Sequence, residues 1–185
     1  MLKIQQKKNK LLYFIILLIF LLYACKNYSK KASDYYQNIY KCIYPVLKSE
    51  DTLIGAITIA RELQAQNNQI TDTSHIEKIN CLYLSLKKNI DSMLAKLNNM
   101  PVFDNNESLK NSAIQLLKAY QQNLTNYEAL INIIKISTYD YKIEDDISFY
   151  KITNTINSEL EKEIELFNKI SEKFANNYKI NITEH

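Results

Sequence analysis

A chain of 185 residues with a single glycine and two prolines has almost nothing from which to build tight turns. β-Hairpins draw on glycine-rich primed turns, so a sheet protein is disfavoured from the outset. Loops that cradle phosphates need two or three glycines close together, which excludes nucleotide sites of those types. Histidine is nearly as scarce. Only His75 and His185 are present, so a Ser–His or Cys–His pair away from the last residue must use His75. Ferritin-like carboxylate sites need Glu-x-x-His pairs on facing helices, and the sequence contains none. No motif calls for a cofactor.

A basic surplus is missing as well. The formal charge of +3 is misleading, because four of the 23 basic residues lie before Cys25 while all 20 acidic ones follow it. That leaves 19 against 20 after the cysteine, a formal charge of −1. The electrostatic footprint needed for nucleic acid is absent, and nucleic acid is excluded as a partner.

What the chain does have is a distinctive beginning. Lys3, Lys7, Lys8 and Lys10 precede an apolar run from Leu11 to Ala24 that stops at Cys25. A basic head, a short apolar middle and a small residue at the cut describe an export signal. Fourteen residues at about 1.5 Å each reach only about 21 Å, short of the ~30 Å hydrocarbon core. The competing readings are an ordinary secretory signal with a chance cysteine, or an uncleaved anchor.

The segment Leu22-Tyr23-Ala24-Cys25 resembles the lipobox of bacterial lipoproteins. Leu22 and Ala24 stand at −3 and −1 as the pattern wants, and Tyr23 between them is bulkier than usual. The resemblance implies cleavage before Cys25, a diacylglycerol on its thiol and an acylated new amino terminus. Two or three acyl chains at about 0.8 kcal/mol per buried methylene anchor a protein where one chain cannot. Lys26 rather than aspartate follows the cysteine, which by the same analogy points to the outer membrane or cell surface of a bacterium.

About 160 residues remain after the signal, enough for one domain with a real core. Over 74–99, Ile76, Ile79, Tyr83, Leu86, Ile90, Met93 and Leu97 step by three or four, with Ser74 and Glu77 as a capping box and Met100-Pro101 as a stop. A second stretch, about 107–137, puts Leu109, Ala113, Leu116, Tyr120, Leu124, Tyr127, Ile131 and Ile134 on one side, with Asp104 or Asn105 as the cap. A third, about 143–178, carries Ile152, Ile156, Leu160, Ile164, Phe167, Ile170, Phe174 and Tyr178, with Glu161, Lys162, Glu165 and Lys169 facing solvent. Glu144, Asp145 and Asp146 decorate its first turn. Pro45 should kink the first helix of the domain, about 33–66, near Tyr40–Lys41, and Gly55 should weaken it; whether the two break it around Ser49–Asp51 or only bend it is left open by the sequence. The expected fold is all-α, an antiparallel four-helix bundle: signal peptide 1–24, lipidated cysteine and polar tether 25–32, bundle 33–185.

Within that bundle few residues suggest chemistry. Cys42 and Cys81 invite a disulfide in an oxidising compartment, but hairpin register sets them about 15 residues out of step, roughly 22 Å along the axis. Buried free thiols are expected instead. Asp72 and His75 have a ligand-like spacing without a third partner, so His75 is read as a capping or exposed residue and no metal is expected. Tyr36, Tyr40 and Tyr44, spaced by four with Tyr35 beside them, form an aromatic ridge suited to binding a partner or packing on another helix.

The segments Asp34-Tyr35-Tyr36-Gln37-Asn38-Ile39, Pro101-Val102-Phe103-Asp104, Leu116-Leu117-Lys118-Ala119-Tyr120 and Phe174-Ala175-Asn176-Asn177-Tyr178 resemble small all-helical bacterial surface lipoproteins of unknown function. That resemblance implies location and helical fold and carries over no catalytic residue. The expected function is non-enzymatic: a cell-envelope lipoprotein held to the membrane through its lipid, with a binding or structural role toward an envelope or host protein. The alternative is a hydrolase or metal-binding envelope enzyme with a site near His75.

Overall fold

The structure, a computed structural model, describes residues 2–67, 73–137 and 140–181, with side chains of the first helix described from 28 to 64. Helix α1 spans Leu2–Asn67, α2 Thr73–Asn99, α3 Ser108–Gln122, α4 Leu124–Ile134 and α5 Ile143–Tyr178. The described residues contain no strand, only an isolated bridge between Phe103 and Asn106. The fold is all-α, and the stripes read from spacing are the ones that pack. Ile79, Leu86, Ile90 and Leu97 of α2 are buried, as are Ile156, Leu160, Phe167 and Phe174 of α5. Each such side chain contributes about 1.5–3 kcal/mol by leaving water. Glu161, Lys162, Glu165 and Lys169 face solvent as expected.

Contacts at the two ends fix the topology. At one end the rings of Tyr28 on α1, Phe103 after α2 and Tyr178 on α5 meet, with centroids 5.3 to 5.9 Å apart. At the other, Arg61 and Gln64 near the end of α1 reach Asp146 at the start of α5 and the Ile136 carbonyl after α4. The chain therefore runs up, down, up and down, with α3 and α4 sharing one rod. That rod was expected as a single stretch, and Asn123 interrupts it for one residue. Buried Asn123 donates from its side-chain amide to the Ala119 carbonyl (3.1 Å) and to Glu159 Oε2 (3.0 Å), competing with the helix for its own acceptor.

Two details of the ends differ from expectation. Asp104 and Asn105 do not cap α3. Both adopt left-handed backbone, with φ of 52° and 54°, which short polar side chains tolerate, and they form the turn itself. Asn106 Oδ1 instead accepts the Ser108 backbone N–H at 3.0 Å. Helix α2 begins at Thr73, so Ser74 lies inside its first turn rather than before it. Helix α5 starts as expected, the Asp145 carboxylate accepting the Lys142 backbone N–H at 2.8 Å.

Helix α1 answers the question the sequence left open. It passes through Pro45 and Gly55 as one element, without a break at Ser49–Asp51. A proline inside a helix costs about 3 kcal/mol or more. Ile39, Cys42, Ile43 and Val46, all buried on the turns around it, together outweigh that. The packed part of α1 also begins earlier than the expected boundary at residue 33. Tyr28 is in the aromatic cluster, Ser29 Oγ donates to the Tyr178 carbonyl (3.1 Å), and Ala32 is buried. Tyr28, Ser29 and Ala32 thus pack ahead of that boundary, while Lys30 and Lys31 between them are exposed.

Gly55 is exposed, and a Cβ there would meet nothing within 4 Å. Replacing Gly55 with alanine should therefore stabilise the protein by about 0.5–1 kcal/mol by removing backbone freedom from the unfolded chain. Urea unfolding should show a higher midpoint with an unchanged slope.

Candidate functional site

Residues spaced by four on a helix advance about 40° around its axis at each step. The ridge of Tyr36, Tyr40 and Tyr44 therefore rotates out of the core as it climbs. Tyr36 is 3% exposed, packed on Tyr40 (4.7 Å between centroids) and Phe174 (6.3 Å). Tyr40 is half-buried against Phe167, and Tyr44 is 63% exposed. Tyr35 stacks on Phe103 and meets Phe174 at a tilt. The expected partner-binding set is thus divided: Tyr36 and Tyr40 belong to the core, and Tyr44 alone is at the surface.

The other expected positions do not converge. His75 is exposed at the start of α2, while Asp72 and His185 lie outside the described residues. Cys42 and Cys81 are both free thiols. Cys42 is buried and burial pushes its thiol up, whereas Cys81 is exposed, contrary to expectation, because it sits one residue off the packed stripe's flank. Among the described residues no group of three His, Cys, Asp or Glu is placed to hold a metal ion. The Cys25 side chain and the run from Leu11 to Ala24 lie outside the described side chains.

Spacing did not reveal two polar clusters. In mid-bundle, half-buried Glu50 accepts a hydrogen bond from the Tyr127 hydroxyl at 3.0 Å. One residue earlier, Ser49 Oγ accepts from Asn89 Nδ2 (2.7 Å) and donates to the Pro45 carbonyl (2.7 Å). Burial raises the Glu50 carboxyl above its ordinary range, the Tyr127 hydrogen bond opposes this, and Asp51 adds to the rise. Burial, with Glu50 nearby, pushes the Tyr120 and Tyr127 phenols well up. The Glu50 carboxyl thus holds a proton more readily than usual, and the Tyr127 phenol is its hydrogen-bond donor. The arrangement pins α1 to α4 and α2.

The second cluster surrounds Arg61, the chain's sole arginine. Its guanidinium pairs with the Asp146 carboxylate, donates to Gln64 Oε1 (3.0 Å) and lies over the Tyr141 ring, 4.5 Å from the centroid. The Tyr141 hydroxyl donates to the same Asp146 oxygen at 2.9 Å. Buried Gln64 donates to the Ile136 carbonyl at 2.9 Å. Burial first, then the Asp146 hydrogen bond, pushes Tyr141 up to about 12. Every group here is matched to another of the same chain, so the cluster is a clasp between α1 and the start of α5.

Beside the clasp, α5 begins with an exposed apolar strip. Ile143, Ile147 and Tyr150 share one side at helical spacing and are 72%, 62% and 65% exposed. They lie off the core stripe of α5, which begins at Phe149, and apolar residues out of phase were the signal that could have flagged them. Comparison with protein-family models, curated proteins and solved structures found no match.

Two substitutions separate pinning from chemistry. A carboxyl whose folded pKa is raised loses stability as pH climbs from about 4.3, its unfolded value, through the folded one. Glu50→Gln keeps an acceptor for Tyr127 without the buried charge, so relative to wild type it should gain stability between pH 4 and pH 7. Thermal unfolding at both values checks the sign. Arg61→Lys forfeits the planar fork and the ring contact, and should cost about 1–3 kcal/mol in unfolding free energy.

Proposed function

We propose that the protein is a membrane-anchored cell-envelope lipoprotein with a non-enzymatic binding or structural role. The observation that carries this reading is the basic head and apolar run ending in Leu22-Tyr23-Ala24-Cys25. Among the described residues no helix is long and apolar enough to cross a membrane, so attachment on this reading falls to the segment ending at Cys25 and its lipid. Support for a binding or structural role comes from the polar clusters, whose groups are spent on each other. The one histidine placed by the structure, His75, stands exposed without a convergent set of partners, which weakens the alternative of an enzyme centred there.

A partner in the envelope or on a host cell would find apolar area at Ile143, Ile147 and Tyr150 rather than on the tyrosine ridge. These three replace Tyr36 and Tyr40 as the residues to examine for contact.

Intact mass of the membrane-extracted protein, wild type against Cys25→Ser, tests the anchor. The expected wild-type mass begins at residue 25 and carries acyl chains that the variant lacks. An unacylated chain, or one that retains residues 1–24, would sink the proposal.

A further inference from the structure

The end of the bundle nearest Cys25 is built differently from its sides. Tyr28 lies three residues past Cys25, a helical rise of about 4.5 Å, and from Tyr28 onward α1 is packed. Between the cysteine and the folded body there is no slack segment on which the domain could swing away. Tyr28, Phe103 and Tyr178 form a ring cluster here, and Pro101 and Val102, just before Phe103, are exposed.

The hydroxyls of this cluster all turn to one carboxylate. Tyr178 donates to Asp104 Oδ2 at 2.9 Å. A hydrogen bond to Asp104 also pushes Tyr28 up to about 12, and the two phenols hold the Asp104 carboxyl below its usual range. Rings with an apolar body and a wet hydroxyl are the side chains that settle at a bilayer's headgroup level. Lys30, Lys31 and Lys179 are exposed at the same end and Lys110 Nζ donates to the Met100 carbonyl there (2.6 Å), against Asp34, Glu107 and Asp104, the last engaged by the tyrosines. The face is therefore close to neutral and does not demand anionic lipid.

We propose that this end of the bundle, formed by Tyr28, Pro101, Val102, Phe103 and Tyr178, is a membrane-seating face that rests in the headgroup layer of the bilayer holding the anchor. The inference rests on the anchored reading above and adds to it a fixed posture. The bundle stands upright on its base, and the Arg61 clasp with the Ile143–Tyr150 strip is carried about 50 Å from the headgroups, some 36 residues of helix from Tyr28 to Gln64.

The chain contains no tryptophan, so one introduced residue is a unique fluorophore. The acylated full chain carrying Val102→Trp, or Lys31→Trp as a second reporter on the same face, is placed in phosphatidylcholine vesicles with lipids brominated near the headgroup. Both reporters should shift to the blue and lose most of their emission to bromine quenching, with little dependence on salt. Ile143→Trp, at the far end, should keep its vesicle-free emission. Attached protein in which Val102→Trp and Lys31→Trp are quenched no more than Ile143→Trp would overturn the seating face while leaving the anchor intact. Failure of the chain to float with vesicles at all would overturn the anchored reading and this inference with it.

Discussion

Everything in this molecule hangs on α1 remaining one helix through Pro45. Tyr28 at one end and Arg61 at the other make the contacts that define the base and the tip, and both are on that element. Had the chain broken at Pro45, the two ends would have been free to settle independently, and no single axis would relate them. The helix survives because its proline lies between buried neighbours. The lost backbone bond is local, whereas Ile39, Cys42, Ile43 and Val46 are held by other helices whether or not that bond forms. Tertiary packing decides the outcome, as it does for most helices in water.

A bundle of Ile and Leu stripes is well driven but loosely specified, since neighbouring registers bury nearly the same area. The polar clusters remove that degeneracy. Tyr127 finds a carboxylate only when α4 is level with Glu50, and Gln64 finds the Ile136 carbonyl only when α1 reaches the connection after α4. At the base, Ser29 must meet the Tyr178 carbonyl, which fixes where α5 ends against α1. Slipping any of these by one turn would leave a buried polar group without its partner, at a cost of about 1–3 kcal/mol. A few hydrogen bonds thus select one register among several that the hydrophobic effect alone would accept.

This division of labour explains how far the sequence could be read. The stripes of α2 and α5 were legible because burial repeats with the helix, and a period survives in a single sequence. The scarcity of glycine and proline pointed to long helices for the same local reason. Glu50, Arg61 and Asn123 were not legible, because each looks like one more polar residue until a distant partner is placed beside it. The tyrosine ridge was legible only in part. Equal spacing by four suggested one face, but the 40° drift per step spreads Tyr36 and Tyr44 from core to solvent. Residues 28–32 read as a tether since lysine and serine dominate locally, and only the end of α5 gives Ser29 and Ala32 something to pack on.

Rigidity and the proposed attachment would have a joint consequence. A domain on a slack tether samples a hemisphere, and a partner can meet any of its faces. On the anchored reading, a first helix that enters the bundle within about one turn of Cys25 would remove that freedom, and the sides and tip would differ in what can reach them. Ile143, Ile147 and Tyr150 lie on α5 near Asp146, where the Arg61 clasp joins α1 to α5. Apolar side chains on a fixed backbone lose little entropy when covered, so a small strip there offers more to a partner than the same residues on a mobile loop. If the proposed anchor holds, the unbroken α1 would give these three exposed side chains a defined height and orientation.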